Sequence, residues 1–226
     1  MHTLWVLFLP SSSMASLTQF DSLIARKSLL KHPFYVKWSK GELTMDDMKV
    51  YAKEYFHLAR RVPGIVERVR ERALERQPEL VKFIEENIRE EKEHTELWKR
   101  FAKSLGISEQ ELLAHQPSTL VIAAVEGLEK GAEGTFEEAV ATMYALEREL
   151  PAIAETKKDG LCRFYGLTGE DAHIYFDEHL KEQDHLNVWL TVDVSPEVES
   201  AVDASLANQN KVLDAVCDVA GLGDCM

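Results

Sequence analysis

The chain has 226 residues, and its 26 lysines and arginines against 39 aspartates and glutamates leave a net charge of −13. That length suits one sizeable domain, and 45% hydrophobic with 29% charged residues is the balance of an ordinary globular protein. The acidic excess argues against a nucleic-acid or anionic-membrane surface as main partner, and no apolar run approaches the ~20 residues that cross a bilayer.

The start of the chain carries an apolar run, Leu4–Leu9, followed by Pro10 and Ser11–Ser13. No lysine or arginine precedes it and it is shorter than the core of a signal peptide. Residues 1–15 therefore read as a disordered or over-long extension, with Met14 as an alternative initiation site, and 16–226 as the domain. Residues 17–32 read as a first helix stopped by Pro33, and Phe34–Gly41 as a link carrying Tyr35 and Trp38. Thr44 with Asp47 is a capping-box start to a second helix. It passes Tyr51 and Tyr55, is expected to kink at Pro63, and ends near Arg76. Pro78 opens a third helix that ends near Gly106. Ser108 with Glu111 starts a short helix, and Pro117-Ser118 another through Leu128. Thr135 with Glu138 caps the next, which carries Glu147 and is expected to run to Lys158 despite Pro151. Gly160, Gly166 and Gly169 mark a turn. Thr168 with Asp171 begins a helix carrying Asp177–His185, and Ser195-Pro196 begins the last, which stops near Gly221. No alternating strand and no internal repeat interrupts this, so the expected fold is all-α, a single-domain bundle of seven or eight helices. Three cysteines, Cys162, Cys217 and Cys225, stand in no metal-binding spacing and suit a reducing cytoplasm.

Three of these helices carry polar groups on apolar faces. At about 100° per residue, Tyr175, Phe176, Leu186, Trp189 and Leu190 share one side. His179 and Glu182 lie inside that stripe and His185 lies at its edge. On the third helix His94 shares a side with Leu97, Trp98, Phe101 and Leu105. Glu90 lies one turn before it, and Glu91 flanks it on the other side. Glu147 shares a side with Val140, Met143, Tyr144, Leu150 and Ala154. Polar groups facing a core cost free energy unless something satisfies them. Carboxylates and imidazoles from facing bundle helices are how di-iron and di-manganese sites are built, and no clustered thiolate is present to favour zinc. Glu90, His94, Glu147, His179, Glu182 and His185 would supply six ligands for two ions. The alternative is a set of hydrogen-bonded core histidines with paired or snorkelling glutamates. The other i, i+3 pair, Glu54 and His57, lies nearer the edge of its apolar face and reads as surface or supporting.

The link sharpens this. His32-Pro-Phe-Tyr-Val-Lys-Trp-Ser-Lys-Gly-Glu-Leu-Thr44, then Tyr51-Ala-Lys, resembles the start of the CADD-type proteins, named for a chlamydial association with death domains. The likeness continues in Leu97-Trp98-Lys99, Glu111-Leu112-x-Ala-His-x-Pro-Ser118, Glu147-x3-Pro151-x-Ile-Ala154 and Tyr175-Phe176-x-Glu-His179, and covers roughly residues 17–190. The wider group is the TenA/PqqC-like, heme-oxygenase-like α-bundle, in which CADD-type proteins are dimetal oxygenases. The resemblance implies synthesis of para-aminobenzoate for folate by a route without chorismate. In that route the protein's own tyrosine gives the ring and a lysine gives the amine, so the protein is consumed in at most one turnover. The matching positions are Tyr35 for the ring, Lys157 for the amine and Tyr51 for a supporting redox tyrosine. Metal positions match at His94, Glu147, His179 and His185. The implied cofactors are two metal ions, Fe/Fe or Fe/Mn, with O2 and a reductant as co-substrates; the group also suggests a homodimer.

The sequence departs from that family in three places. The spacing before His94 is about three residues shorter, which leaves Glu90 as the first choice and Glu91 open. The last motif is one residue shorter and Glu182 replaces an aspartate, with Glu178 as fallback. Lys157 lies ten residues after Glu147, about 15 Å along a straight helix. It reaches the site only if the helix bends after Pro151 or the ring lies toward that end. Read without the resemblance, Tyr35 and Trp38 plug the bundle and Lys157 complements the last turn of its helix.

Other functions on the same fold are a dimetal oxidase acting on an external small molecule, a thiamin-degrading enzyme and a metal-free oxidase of the PQQ-forming kind. The second needs a nucleophilic cysteine on a core helix, and Cys162 is expected in the turn beyond. The third suits so many inward carboxylates poorly. A non-enzymatic interaction protein is the alternative of another class, and bound metal separates it from the oxygenase.

Overall fold

The computed structural model describes residues 20–181, Leu186, Trp189 and 192–223. The N-terminal extension, Glu182, His185, Leu190 and Cys225 lie outside the described residues. Among the described residues the regular structure is helical throughout, without a strand, and no helix is long and apolar enough to cross a membrane.

Residues 20–26 are helical and are followed by a single 3-10 turn, Leu29–Lys31. The expected link is instead the helix Pro33–Lys40. Pro33 starts it rather than stopping its predecessor, because a proline's missing N–H costs nothing in a first turn. His32 caps it, its Nδ1 accepting from Phe34 N at 3.1 Å while Nε2 donates to Asp214 at 3.0 Å. Gly41 closes it in the left-handed region, φ 70°. A Cβ there would also lie 2.6 Å from the Phe164 ring.

Thr44 and Asp47 form both bonds of a capping box on Met45–Ala59. The expected kink at Pro63 is a full break, and Val62–Arg76 begins anew with Pro63 in its first turn. Beyond the 3-10 turn Pro78–Leu80 runs the long helix Val81–Ser104. Glu109–Ala114 and Thr119–Gly131 follow, capped by Ser108 and Ser118. Phe136–Glu147 carries the second capping box, Thr135 with Glu138. The chain breaks again at Arg148–Glu149, before Pro151 rather than after it, and Leu150–Phe164 restarts with that proline in its first turn. This helix continues through Gly160, so Cys162 is helical and exposed. Glu170–His179 starts at Gly169 with no side-chain cap, so Thr168 does not play that part. Pro196–Ala220 is capped by Ser195 and ended by Gly221.

The last helix lies against Thr119–Gly131 and Phe136–Glu147, while Glu170–His179 packs on Val81–Ser104 and on Leu150–Phe164. Two apolar clusters result. One joins the helices around Val69, Ile84, Val125, Met143 and Val202. The other is aromatic and gathers Phe34, Tyr35, Trp38, Tyr51, Trp98 and Phe176. Glu54, expected near the surface, is buried in this frame. It accepts from His115 Nε2 at 2.7 Å and from Ser118 N at 2.9 Å, tying down the chain between two helices. Cys217 is disulfide-bonded, whereas the three sparse cysteines read as suiting a reducing cytoplasm.

Candidate active site

A cavity where six helices meet is lined by Glu91, His94, Glu147 and His179 together with Tyr55, Leu58, Ala59, Val62, Leu146, Leu150 and Tyr175. Glu91 rather than Glu90 faces it. The buried residues of Val81–Ser104 include Ile84, Asn87, Glu91, His94, Trp98 and Phe101, a stripe with alternating steps of three and four. Glu90 stands one 100° step off that stripe, half-buried, and does not line the cavity. Glu178 is spent on a surface pair with Lys181 at 2.8 Å.

The two histidines lie with ring centroids 4.6 Å apart. His179 Nδ1 donates to the Tyr175 carbonyl at 2.7 Å. A carbonyl only accepts, so Nδ1 carries a proton. His94 Nδ1 lies 3.5 Å from the Glu91 carboxylate. Trp189, buried, donates its indole N–H to Glu147 Oε2 at 2.6 Å and so orients that carboxylate. Two carboxylates and two imidazoles around one cavity, each with an orienting partner nearby, fit first-row metal ions in donor type. Among the described residues no three such side chains are drawn together closely enough to hold an ion. Glu182 and His185, the other two expected ligands, fall outside the described residues.

Tyr35, Tyr51 and Lys157 form a second compartment beside the cavity. All three are buried. The break at Arg148–Glu149 restarts the helix and puts Lys157 on its buried stripe with Ile153, Ala154, Gly160 and Leu161. This answers the reach problem of a straight helix. The lysine does not complement a helix end. Its Nζ–H donates to the Tyr51 hydroxyl at 2.5 Å and lies 5.1 Å from the Tyr35 ring centroid. Tyr55, Trp98 and Phe176 complete a ring of aromatic faces around it. Trp38 donates to the Lys157 carbonyl at 3.1 Å and fixes the backbone there. Burial without a carboxylate partner lowers the Lys157 pKa to about 7. Burial raises the phenols of Tyr35 and Tyr51 well above their ordinary value; the charge of neighbouring tyrosines pushes the same way, while the hydrogen bond between the two hydroxyls opposes the rise at Tyr35 and adds to it at Tyr51.

Tyr55 belongs to both compartments, and sequence reasoning passed over it. It lines the cavity, stacks on Trp98 at 5.0 Å and lies 5.1 Å from Tyr51. Burial and then the Glu91 charge raise its pKa. Its place at i+4 from Tyr51 was the available signal.

Comparison with known proteins bears on this geometry. The profile of the TENA/THI-4/PQQC family matches residues 22–217. A relative from Chlamydia muridarum named 4-aminobenzoate synthase is 36% identical over 172 residues, 74% of this chain and 72% of the relative. Among solved structures, a domain of unknown function with a heme oxygenase-like fold from Shewanella denitrificans superposes with TM-score 0.73 at 17% identity, covering 96% of this chain and 95% of the other. A CADD-like protein of unknown function from Nostoc punctiforme gives 0.69 at 17% identity, covering 92% and 98%. The fold is therefore heme oxygenase-like, as the resemblance implied, and all-α, as the pattern of the chain predicted.

Proposed function

The chain belongs to the TENA/THI-4/PQQC family, and on that premise we propose that it is an enzyme that makes 4-aminobenzoate from its own Tyr35 ring, with the Lys157 amine as nitrogen source. The observation that carries this reading is the buried amine of Lys157, held at Tyr51 and facing Tyr35. A lysine placed to stabilise a fold points its ammonium at water or at a carboxylate. This one faces aromatic rings, and burial lowers its pKa to about 7, so a substantial share of it is the free amine at neutral pH.

The chemistry follows from the product. Tyrosine already holds a para-disubstituted ring. Cleavage beyond Cβ with oxidation of that carbon leaves the carboxyl group, and exchange of the phenolic oxygen for nitrogen gives the amine. Two bound ions, Fe/Fe or Fe/Mn, would supply these oxidising equivalents from O2 and a reductant. Glu91, His94, Glu147 and His179 would hold them, with Glu182 and His185 as the remaining candidates and Glu91 in place of Glu90. The aromatic walls around Lys157 exclude water from the ring under attack. Trp38 holds the lysine backbone still, and Tyr51 holds the amine beside the Tyr35 ring.

The test is peptide mass spectrometry on protein loaded with Fe(II) and Mn(II), reduced and exposed to O2, with 4-aminobenzoate assayed in the same tube. Expected are loss of ring mass at Tyr35, at most one product per chain, and none from Tyr35→Phe. Metal bound, with Tyr35 intact and no product, overturns the self-sacrificing reading.

A further inference from the structure

The amine of Lys157 has a second use that the transfer of its nitrogen does not require. Among the described residues its one polar side-chain partner is the Tyr51 hydroxyl. Tyr51 is fully buried, and aromatic rings surround the pair. A buried phenol is hard to oxidise unless its proton has somewhere to go, because the charged radical cation is poorly solvated there. The Tyr51 hydroxyl also shares a hydrogen bond with Tyr35, but a phenol is a far weaker base than an amine. The neutral amine, whose nitrogen both donates and accepts, offers that destination without movement of any heavy atom once the bond it now donates is reversed. The amine is available in this form near neutral pH. The electron also has a short way out. Tyr51 lies 5.1 Å from Tyr55, and Tyr55 lines the carboxylate–imidazole cavity. A second chain of rings, Trp98 and Tyr175, joins Tyr51 to His179 through contacts of 5.7, 4.7 and 4.3 Å.

We propose that Lys157 is the base for one-electron oxidation of Tyr51, taking the phenolic proton as the electron leaves toward the cavity. The inference rests on the reading of the cavity as an O2-activating dimetal site. The step balances. The O–H bond of Tyr51 breaks and an N–H bond forms on Lys157. Tyr51 becomes a neutral phenoxyl radical and Lys157 an ammonium. The electron would pass to the oxidant that metal ions held at the cavity would supply from O2, which would take it up in a one-electron reduction. The cost of a buried charge falls on the lysine, whose ammonium lies against the faces of several aromatic rings, an arrangement that stabilises a cation.

The experiment separates this role from that of amine donor. Full-length protein is loaded with Fe(II) and Mn(II), reduced, mixed with O2 and freeze-quenched. Tyrosine-centred radical is followed by electron paramagnetic resonance and metal content by emission spectroscopy. Tyr51→Phe identifies the signal that belongs to Tyr51. In Lys157→Met, a near-isosteric and apolar replacement, bound metal should be unchanged while the Tyr51 radical forms at least tenfold more slowly. In wild-type protein the same step should slow at least twofold in D2O. A Tyr51 radical forming at the wild-type rate in Lys157→Met, with product lost, would leave the lysine as amine donor alone and overturn the proposal. Product from wild-type protein with no Tyr51 radical at any quench time overturns it too. Absence of bound metal or of product in the wild type overturns the functional reading, and this step falls with it. Should Lys157→Met lose metal or fold, the solvent isotope effect on the wild-type protein decides: none refutes the coupled transfer.

Discussion

Lys157 makes the stability of the fold depend on pH in a direction opposite to that of a salt-bridged lysine, whose folded pKa is raised. Its pKa in the folded chain is about 7, set by burial, against 10.5 for an exposed lysine. Between those values the unfolded chain binds the proton more tightly than the folded one, so stability rises with pH. The gain begins as pH passes the folded value and is complete above the unfolded one. Integrating the linkage relation from pH 7 to pH 9 gives about 2 kcal/mol for this residue alone. Lys157→Met removes the term. The variant should be the more stable at pH 7, and its advantage should shrink by about 2 kcal/mol by pH 9. Urea denaturation at pH 7, 8 and 9, followed by circular dichroism at one temperature, measures this directly. The lost bond to Tyr51 shifts the variant by a constant amount over this range, because the phenol does not titrate there. A constant difference between the two proteins at all three pH values would refute the argument that the amine is buried and uncompensated.

Other expectations follow from the same geometry. Glu91→Gln should lower Mn(II) or Fe(II) content well below that of the wild type, while Glu90→Gln should leave it largely intact; emission spectroscopy after desalting compares them, and the reverse order would restore Glu90. Trp189→Phe removes the donor that orients Glu147 and should weaken metal affinity by roughly 10- to 100-fold, read by calorimetric titration, with unchanged affinity counting against that role. Gly160→Ala places a Cβ 2.6 Å from Trp38 Nε1 and should cost about 1–3 kcal/mol in chemical denaturation, with loss of 4-aminobenzoate yield as the Trp38–Lys157 anchor shifts.

The sequence and the structure part company in an orderly way. The two capping boxes and the serine caps were legible because side-chain chemistry three residues apart settles them locally. Three of the misread boundaries involve a proline. Pro33, Pro63 and Pro151 all stand in first turns, where a missing N–H is harmless, but the pattern around them was continuous enough to suggest a stop or a bent helix. The break before Pro151 had the largest consequence. It ends one helix at Glu147, which faces the cavity, and restarts another whose buried stripe carries Lys157.

The choice between Glu90 and Glu91 was open for a related reason. Both flank the stripe of His94 at the level of pattern, and the packing of neighbouring helices on Val81–Ser104 decides which one is covered. The same packing explains why the cavity and the aromatic compartment are separate yet adjacent. Val81–Ser104 contributes His94 to one and Trp98 to the other, one turn apart, and Tyr55 spans the boundary from the neighbouring helix. The self-consuming reaction proposed above would use this division: the Tyr35 ring lies among buried aromatic side chains, apart from the carboxylates and imidazoles of the cavity, and the helices hold the two compartments side by side.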